Sequence, residues 1–282
     1  MMDNRDFHQF NVVTLNALGV PSTRTRARLR TIARELNDRA LNAVCLQEVQ
    51  WFRYAPLLFE AFTNFPYGSW EPHLYAPKGG LMTLTRQPQS ETQFIPFEER
   101  AWFLGPSIAD RMLHKGILIS HLTHGNMPIT LINTHLAANY SANWSRSNRY
   151  AKLEAAQLKQ LSRVVNEQPN HRMVIVVGDF NIPRYSWLYH EFLDRTGLHD
   201  PLGEVEEPTY RPHPRMPALL SSLFSVAIDH ALVRFPRGIG IRTESLIILQ
   251  DEVELVDGRR AHLSDHYGIH MRLEWPRSGN GL

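Results

Sequence analysis

Met173-Val174-Ile175-Val176-Val177-Gly178-Asp179-Phe180-Asn181 is the stretch from which the rest of the chain can be read. Five apolar residues in a row, with no polar alternation, describe a short strand buried on both faces. A carboxylate and an amide follow at once. Two residues apart on an extended chain, Asp179 and Asn181 point to the same side. Asp and Asn also favour Asx-type turns, and such a turn can itself present side chains to a phosphate.

Five more segments place polar residues where a strand begins or ends. Thr14-Leu15-Asn16 closes the apolar run Phe10 to Leu15. Leu46-Gln47-Glu48-Val49 closes Ala43 to Leu46, Asn133-Thr134-His135-Leu136 follows Ile129 to Ile132, and Ile228-Asp229-His230 follows Val226 to Ile228. Leu263-Ser264-Asp265-His266 instead opens the alternating strand Tyr267 to Leu273. Strand ends of layered α/β folds form a common rim, where sites of chemistry gather.

Between these strands the spacing predicts a helix over Thr25 to Asn37, with Leu29, Ile32, Ala33 and Leu36 on one face. Arg24, Arg26, Arg28, Arg30 and Arg34 then read as a solvated face, with contact to the phosphates of a nucleic acid as the alternative. A second helix is expected from about Ser147 to Asn166, and Lys115 to Leu122 with Pro128 to Leu136 form a hairpin turning at His124-Gly125-Asn126. Lys78-Gly79-Gly80 opens a further strand. Ala227 to Val233 and Ile241 to Leu249 are the remaining strands, and proline-rich Gly203 to Pro217 is a loop. Strands in both halves with helices interspersed predict two packed sheets covered by helices in a single domain spanning 1–282, with a core of about 10–275 and a frayed tail from Pro276 to Leu282.

Composition sets wide bounds. The chain has 282 residues, 43% hydrophobic and 21% charged, with a net charge of +2. That is ordinary for a globular protein, and so mild a charge neither demands nor excludes a polyanionic partner. The single cysteine, Cys45, lies in an apolar run and reads as a buried thiol. The N-terminal residues carry no apolar signal region and no stretch approaches a membrane span, so the cytoplasm is the expected compartment.

The collected side chains suit phosphodiester cleavage, which needs a hard cation, an activated water and help for the leaving oxygen. Magnesium takes oxygen ligands and keeps several waters, so one or two carboxylates and an amide suffice. Glu48 is the first choice as ligand, with Asn16 beside it. Their bland readings are an exposed strand-end glutamate and a turn residue. Histidine titrates nearest neutrality, so His266 is the natural base, with Asp229 as acceptor for its second ring nitrogen. Asp229 and Asp265 read equally well as ordinary loop carboxylates, and His135 as a packed histidine that could donate to a phosphate. The spacing of His262, His266 and His270 by four would suggest a zinc pair on a helix, but here it falls on loop and strand.

In this order, Asn16, Glu48, His135, Asp179-Phe180-Asn181, Asp229-His230 and Ser264-Asp265-His266 resemble the endonuclease/exonuclease/phosphatase superfamily, from about Phe10 to Leu273. The resemblance implies a four-layer α/β sandwich, two packed mixed β-sheets flanked by helices, and a Mg2+-dependent hydrolase, with Mn2+ as a substitute. It implies that Glu48 and Asn16 hold the metal, that His266 is the general base, and that Asp179 assists the leaving group. Asn181 and His135 would bind phosphate, and Asp229 and Asp265 would be orienting or additional metal-site residues. Lys78-Gly79-Gly80-Leu81, Lys115-Gly116-Ile117-Leu118 and Thr134-His135-Leu136-Ala137-Ala138-Asn139-Tyr140 are similar to the neutral sphingomyelinase-like branch. That likeness implies a phospholipid head group as substrate, with peripheral lipid contact; Leu219 to Phe224 reads equally as a lipid-facing loop and as a core segment. No obligate protein partner is implied. A nuclease of the same fold, acting on DNA or RNA, is the alternative. A non-catalytic binding module is a third, whose expected mark is loss of site residues; none of the set is missing.

Overall fold

The computed structural model describes residues 7–37, 39–100, 112–184, 186–203, 205, 207–212 and 225–277. Strand β1 (Phe7–Asn16) alternates its buried side chains between two cores. Phe10 and Val12 face one, Val13 and Leu15 the other. Strands β2 (Ala43–Gln47) and β8 (Met173–Asp179) are buried along their whole length, as expected of all-apolar runs covered on both sides.

Strands β3 (Tyr67–Ser69), β4 (Met82–Thr85), β10 (Arg242–Ile248) and β13 (Gly268–Pro276) complete a six-stranded sheet around β1 and β2, in the order β10-β13-β1-β2-β4-β3. Strands β5 (Gln89–Pro96), β6 (Gly116–His124), β7 (Met127–His135) and β9 (Asp229–Arg234) join β8 in a five-stranded sheet, in the order β5-β6-β7-β8-β9. Each sheet is mixed, with one parallel pair among antiparallel neighbours: β1 with β2, and β7 with β8. Val253–Glu254 and Arg260–Ala261 form a separate small hairpin, β11 and β12.

Three apolar clusters separate four layers. The middle one, including Phe10, Cys45, Met173, Ile175 and Met271, is the face shared by the two sheets. The outer face of the six-stranded sheet packs on α1 (Thr25–Asn37) and α2 (Tyr54–Ala61) through Leu29, Ile32, Leu36 and Leu58. The outer face of the five-stranded sheet packs on α3 (Arg149–Asn166) and α4 (Trp187–Thr196) through Leu158, Leu161 and Phe192. This is the expected sandwich of two mixed sheets flanked by helices.

The helix predicted over Thr25 to Asn37 forms over those residues. The second begins at Arg149 rather than Ser147, because the Asn148 side chain caps it by accepting from the backbone N–H groups of Tyr150 and Ala151. The hairpin turn sits where expected, with Gly125 at φ 60°. Helices α2 and α4 and edge strand β5 are additions. α2 spans only eight residues and β5 is mostly exposed, so neither leaves a strong apolar period. Of the expected loop at 203–217, residues 204, 206 and 213–217 lie outside the described residues. So do the lipid-facing candidate at 219–224 and the tail from 278. Among the described residues no helix is long and apolar enough to cross a membrane.

Candidate active site

Strand register brings the polar ends together. Asn16 lies opposite Gln47 across the parallel pair of one sheet, and His135 opposite Asp179 in the other. Asp179 also faces Asp229 on β9. The Asn16 side-chain N–H then donates to Asp179 Oδ2 at 2.9 Å, joining the two sheets at their rim. A second polar tie links the sheets: Gln47 Nε2 donates to Thr14 Oγ1 (3.0 Å) and Asn133 Oδ1 (2.7 Å). Asn133 Nδ2 in turn donates to the Leu46 and Met82 carbonyls. Gln47 and Asn133 are fully buried, so these rim-segment residues fix the sheets rather than meet solvent.

Asp179 is the hub. Besides Asn16, its Oδ2 lies 3.3 Å from His135 Nε2 and 3.8 Å from His266 Nε2, while Oδ1 accepts from the Asn181 backbone N–H at 3.0 Å. Burial alone would raise its carboxyl. The positive fields of His266, His135 and Lys115 outweigh that and hold it well below the usual range. His266 Nδ1 meets Asp229 Oδ2 at 2.9 Å. Burial would lower the imidazole, but Asp229, Asp179 and then Asp265 push it up to about 10.

Glu48 stands just past β2 in a left-handed conformation, φ 56°. Its backbone is gripped by two close approaches. A Cβ on Gly19 would lie 2.1 Å from the Glu48 carbonyl oxygen, and one on Gly80 would lie 3.1 Å from Glu48 Cα. Glycine is thus required at Gly80 by both space and its own φ of 64°. Asn181 shares the left-handed conformation at φ 55°, and its side-chain N–H donates to the Leu136 carbonyl at 3.1 Å. Two non-glycine residues held this way at one rim are the kind of strain that functional sites retain.

Ligand atoms of Glu48, His135 and Asp179 all lie within 4.8 Å of one another, and so do those of Asp179, Asp229 and His266. Two carboxylates beside an amide fit a hard divalent cation. Asn16 is already engaged on both sides, since its Oδ1 accepts from the Leu18 backbone N–H at 3.1 Å. It would have to offer the remaining lone pair. Asp265 belongs to neither cluster. Its carboxylate accepts from Ser264 Oγ at 3.3 Å, and its charge acts on Arg28, Tyr210 and His266. His230 packs between Phe180 and Tyr189, and its Nε2 meets the Ile182 carbonyl at 3.0 Å, while burial holds it down to about 4. His262 and His270 meet Gln250 O and Asn11 Oδ1, away from His266, so the four-residue spacing is incidental.

Residues 13–266 match the Endonuclease/Exonuclease/phosphatase family. The chain belongs to that family. No curated protein matches it in sequence. Among solved members of the fold, SmcL superposes with a TM-score of 0.73 at 15% identity, covering 95% of this chain and 99% of that one. Sphingomyelinase C from Streptomyces griseocarneus gives 0.70 at 18% identity, covering 94% and 99%. TDP2 from D. rerio, complexed with single strand DNA product, gives 0.69 at 16% identity, covering 94% and 98%. Beta toxin from Staphylococcus aureus, a double mutant with bound magnesium ions, gives 0.69 at 16% identity, covering 96% and 100%. At such identities these likenesses speak for the fold, which the family shares across a sphingomyelinase and a DNA-bound enzyme.

Three residues of the rim have roles that sequence reasoning does not assign, although Lys115 stands in a segment that carries the resemblance. Arg28, read as part of a solvated face, turns inward. Its guanidinium donates to the carbonyls of Ala17 (3.0 Å), Leu263 (2.6 Å) and Leu18 (2.5 Å), stapling the loops that carry Asn16 and His266. Its position one turn before Ile32, on the face of Thr25 and Leu36, was the available signal. Lys115, buried, reaches His135 Nε2 at 2.9 Å and donates to the Leu136 carbonyl at 2.7 Å. Thr209, also buried, donates to Asp229 Oδ2 at 2.7 Å. It lies in the proline-rich loop, where no periodicity marks it.

Proposed function

We propose that this family member is a Mg2+-dependent phosphodiester hydrolase acting on a phospholipid head group or another small phosphodiester. The observation that carries the reading is the line Asp229–His266–Asp179, which shares Asp179 with the cluster of Glu48 and His135. Glu48 and Asn16 would hold a magnesium ion, which when bound would neutralise charge on the phosphoryl oxygens. His266 takes the proton of the attacking water at Nε2, and Asp229 holds the ring by accepting from Nδ1. Asp179, kept ionised, cannot itself donate a proton. It serves the leaving oxygen by orienting a water that does, and the proton His266 took from the attacking water replaces the one given up. His135 and Asn181 position the phosphate, and the charge of Asp265 supports His266.

Lipid is favoured as substrate by the rim itself. Trp51, Phe52, Leu74, Tyr75 and Met112 are exposed, and the first two follow Glu48 by only a few residues. The Phe52 backbone N–H donates to the Tyr75 carbonyl at 2.8 Å, so these apolar segments adjoin. Aromatic side chains of this kind suit the interface of a membrane. The inward turn of Arg28 removes one of the arginines that would favour a nucleic acid. A nuclease remains the second reading, supported by the DNA-bound relative. Assay of sphingomyelin in micelles against supercoiled plasmid, with magnesium and matched enzyme, tests the choice. Release of phosphocholine with weak nicking is expected. Strong nicking beside no lipid turnover would overturn the lipid reading.

A further inference from the structure

Residues 209–211 belong to no strand of either sheet, yet they lie edge to edge with the segment that carries His266. Thr209 and Tyr210 both donate from their backbone N–H groups to the Val226 carbonyl, at 3.2 and 3.3 Å. The Thr209 carbonyl accepts from Tyr267 N–H (2.7 Å), and Arg211 N–H donates to the Asp265 carbonyl (2.7 Å). The Tyr210 ring lies 4.9 Å from the His266 ring, centroid to centroid. This strap is therefore laced to the chain on both sides of the Asp229–His266 pair.

Beside the Tyr210 ring, one side chain of the strap hydrogen-bonds the pair directly. The Thr209 hydroxyl accepts from the backbone N–H groups of Ile228 and Asp229, each at 3.0 Å, and spends its single proton on Asp229 Oδ2 at 2.7 Å. The same oxygen takes His266 Nδ1–H. Asp229 Oδ1, equally buried, has no hydrogen-bond partner among the described residues. With only one oxygen tethered, the plane of the carboxylate is set by the two donors that converge on it. One of them, the imidazole, is the group to be oriented, so the fixed reference is the Thr209 hydroxyl. We infer that Thr209 is a positioning residue for the reaction, fixing the Asp229 carboxylate and through it the attitude of His266. The inference rests on the proposed role of His266 as base.

The test uses the full chain with bis(p-nitrophenyl) phosphate and magnesium. A hydrogen bond to a charged group is worth enough that Thr209→Val should lower kcat by about ten- to a hundredfold. KM should hold, because the threonine does not touch substrate. Thr209→Ser, which keeps the hydroxyl, should restore turnover to within about threefold of wild type. In an Asp229→Asn background, Thr209→Val should cost less than about twofold more, since its target is already altered. A merely structural threonine would give losses that multiply in the double variant, and that result overturns the inference. So does Thr209→Val with wild-type kcat. Thermal unfolding accompanies each assay, and if the valine variant does not fold, Thr209→Ala against Thr209→Ser makes the same comparison. Full activity in His266→Ala would instead overturn the base itself, a failure separate from this one.

Discussion

Arg28→Met removes one positive charge and three hydrogen bonds while keeping most of the side-chain volume. In the native protein the guanidinium donates to Ala17, Leu263 and Leu18. Ala17 and Leu263 are buried, so their carbonyls lose a donor where water is scarce. An unsatisfied buried acceptor costs about 1–3 kcal/mol, which gives about 2–6 kcal/mol for those two. Removing the arginine also removes the cost of burying it, which shows in the lowering of its own proton affinity by burial. A net loss of about 3 kcal/mol is the expected balance. For a chain of this size each kcal/mol shifts Tm by about 2–4 °C, so thermal unfolding should fall by about 6–12 °C. Turnover below the transition should fall as well, because the loops after Asn16 and before His266 lose their common anchor. Arg26→Met and Arg30→Met, on the exposed face of the same helix, should leave both quantities unchanged. A Tm for Arg28→Met within 2 °C of wild type would refute the staple.

Glu48→Gln should keep the fold but lose magnesium affinity in calorimetry and most of its turnover. A chelator should abolish wild-type hydrolysis until magnesium or manganese is returned, and full turnover in chelator would rule the mechanism out. Because three carboxylates raise His266, its proton is retained to about 10, and only the neutral ring can act as base. Activity should therefore rise with pH, and a cation beside Asp179 should draw the midpoint below that value; a flat profile would move the role elsewhere. The same raised group makes the cation-free protein lose stability as pH climbs through about 10, measurable by thermal unfolding. Gly80→Ala adds a Cβ at 3.1 Å from Glu48 Cα in a left-handed residue, at about 1–2 kcal/mol, so Tm and magnesium affinity should both drop. Gly240→Ala, with open space around it, should change neither. Polar substitution of Trp51 and Phe52 should impair action on lipid vesicles more than on a soluble diester, and equal losses on both would argue against a lipid-facing rim.

The sequence alone carried what is local. The all-apolar run Met173 to Val177, the apolar stripe of Thr25 to Asn37 and the glycine turn at Gly125 each declare an element through periods of two, 3.6 or none, because the backbone geometry that sets those periods is the same everywhere. The residues at the strand ends were legible for the same reason: an apolar run that gives way to polar side chains marks the end of its strand, even where those side chains are themselves buried. What the sequence could not give was which ends meet. Asn16 reaches Asp179, 163 residues away, only because the two mixed sheets pack face to face, and Arg28 reaches Leu263, 235 residues away, because α1 packs on the outer face of the sheet in which β13 pairs with β1. Arg28 and Thr209 show the limit most plainly. One was hidden among four exposed arginines and the other in an irregular loop, and in each case the partner is a single atom on a distant segment. Hydrogen bonds of that kind leave no period in the chain, since their geometry is fixed by the packing of the sheets and not by neighbours in sequence.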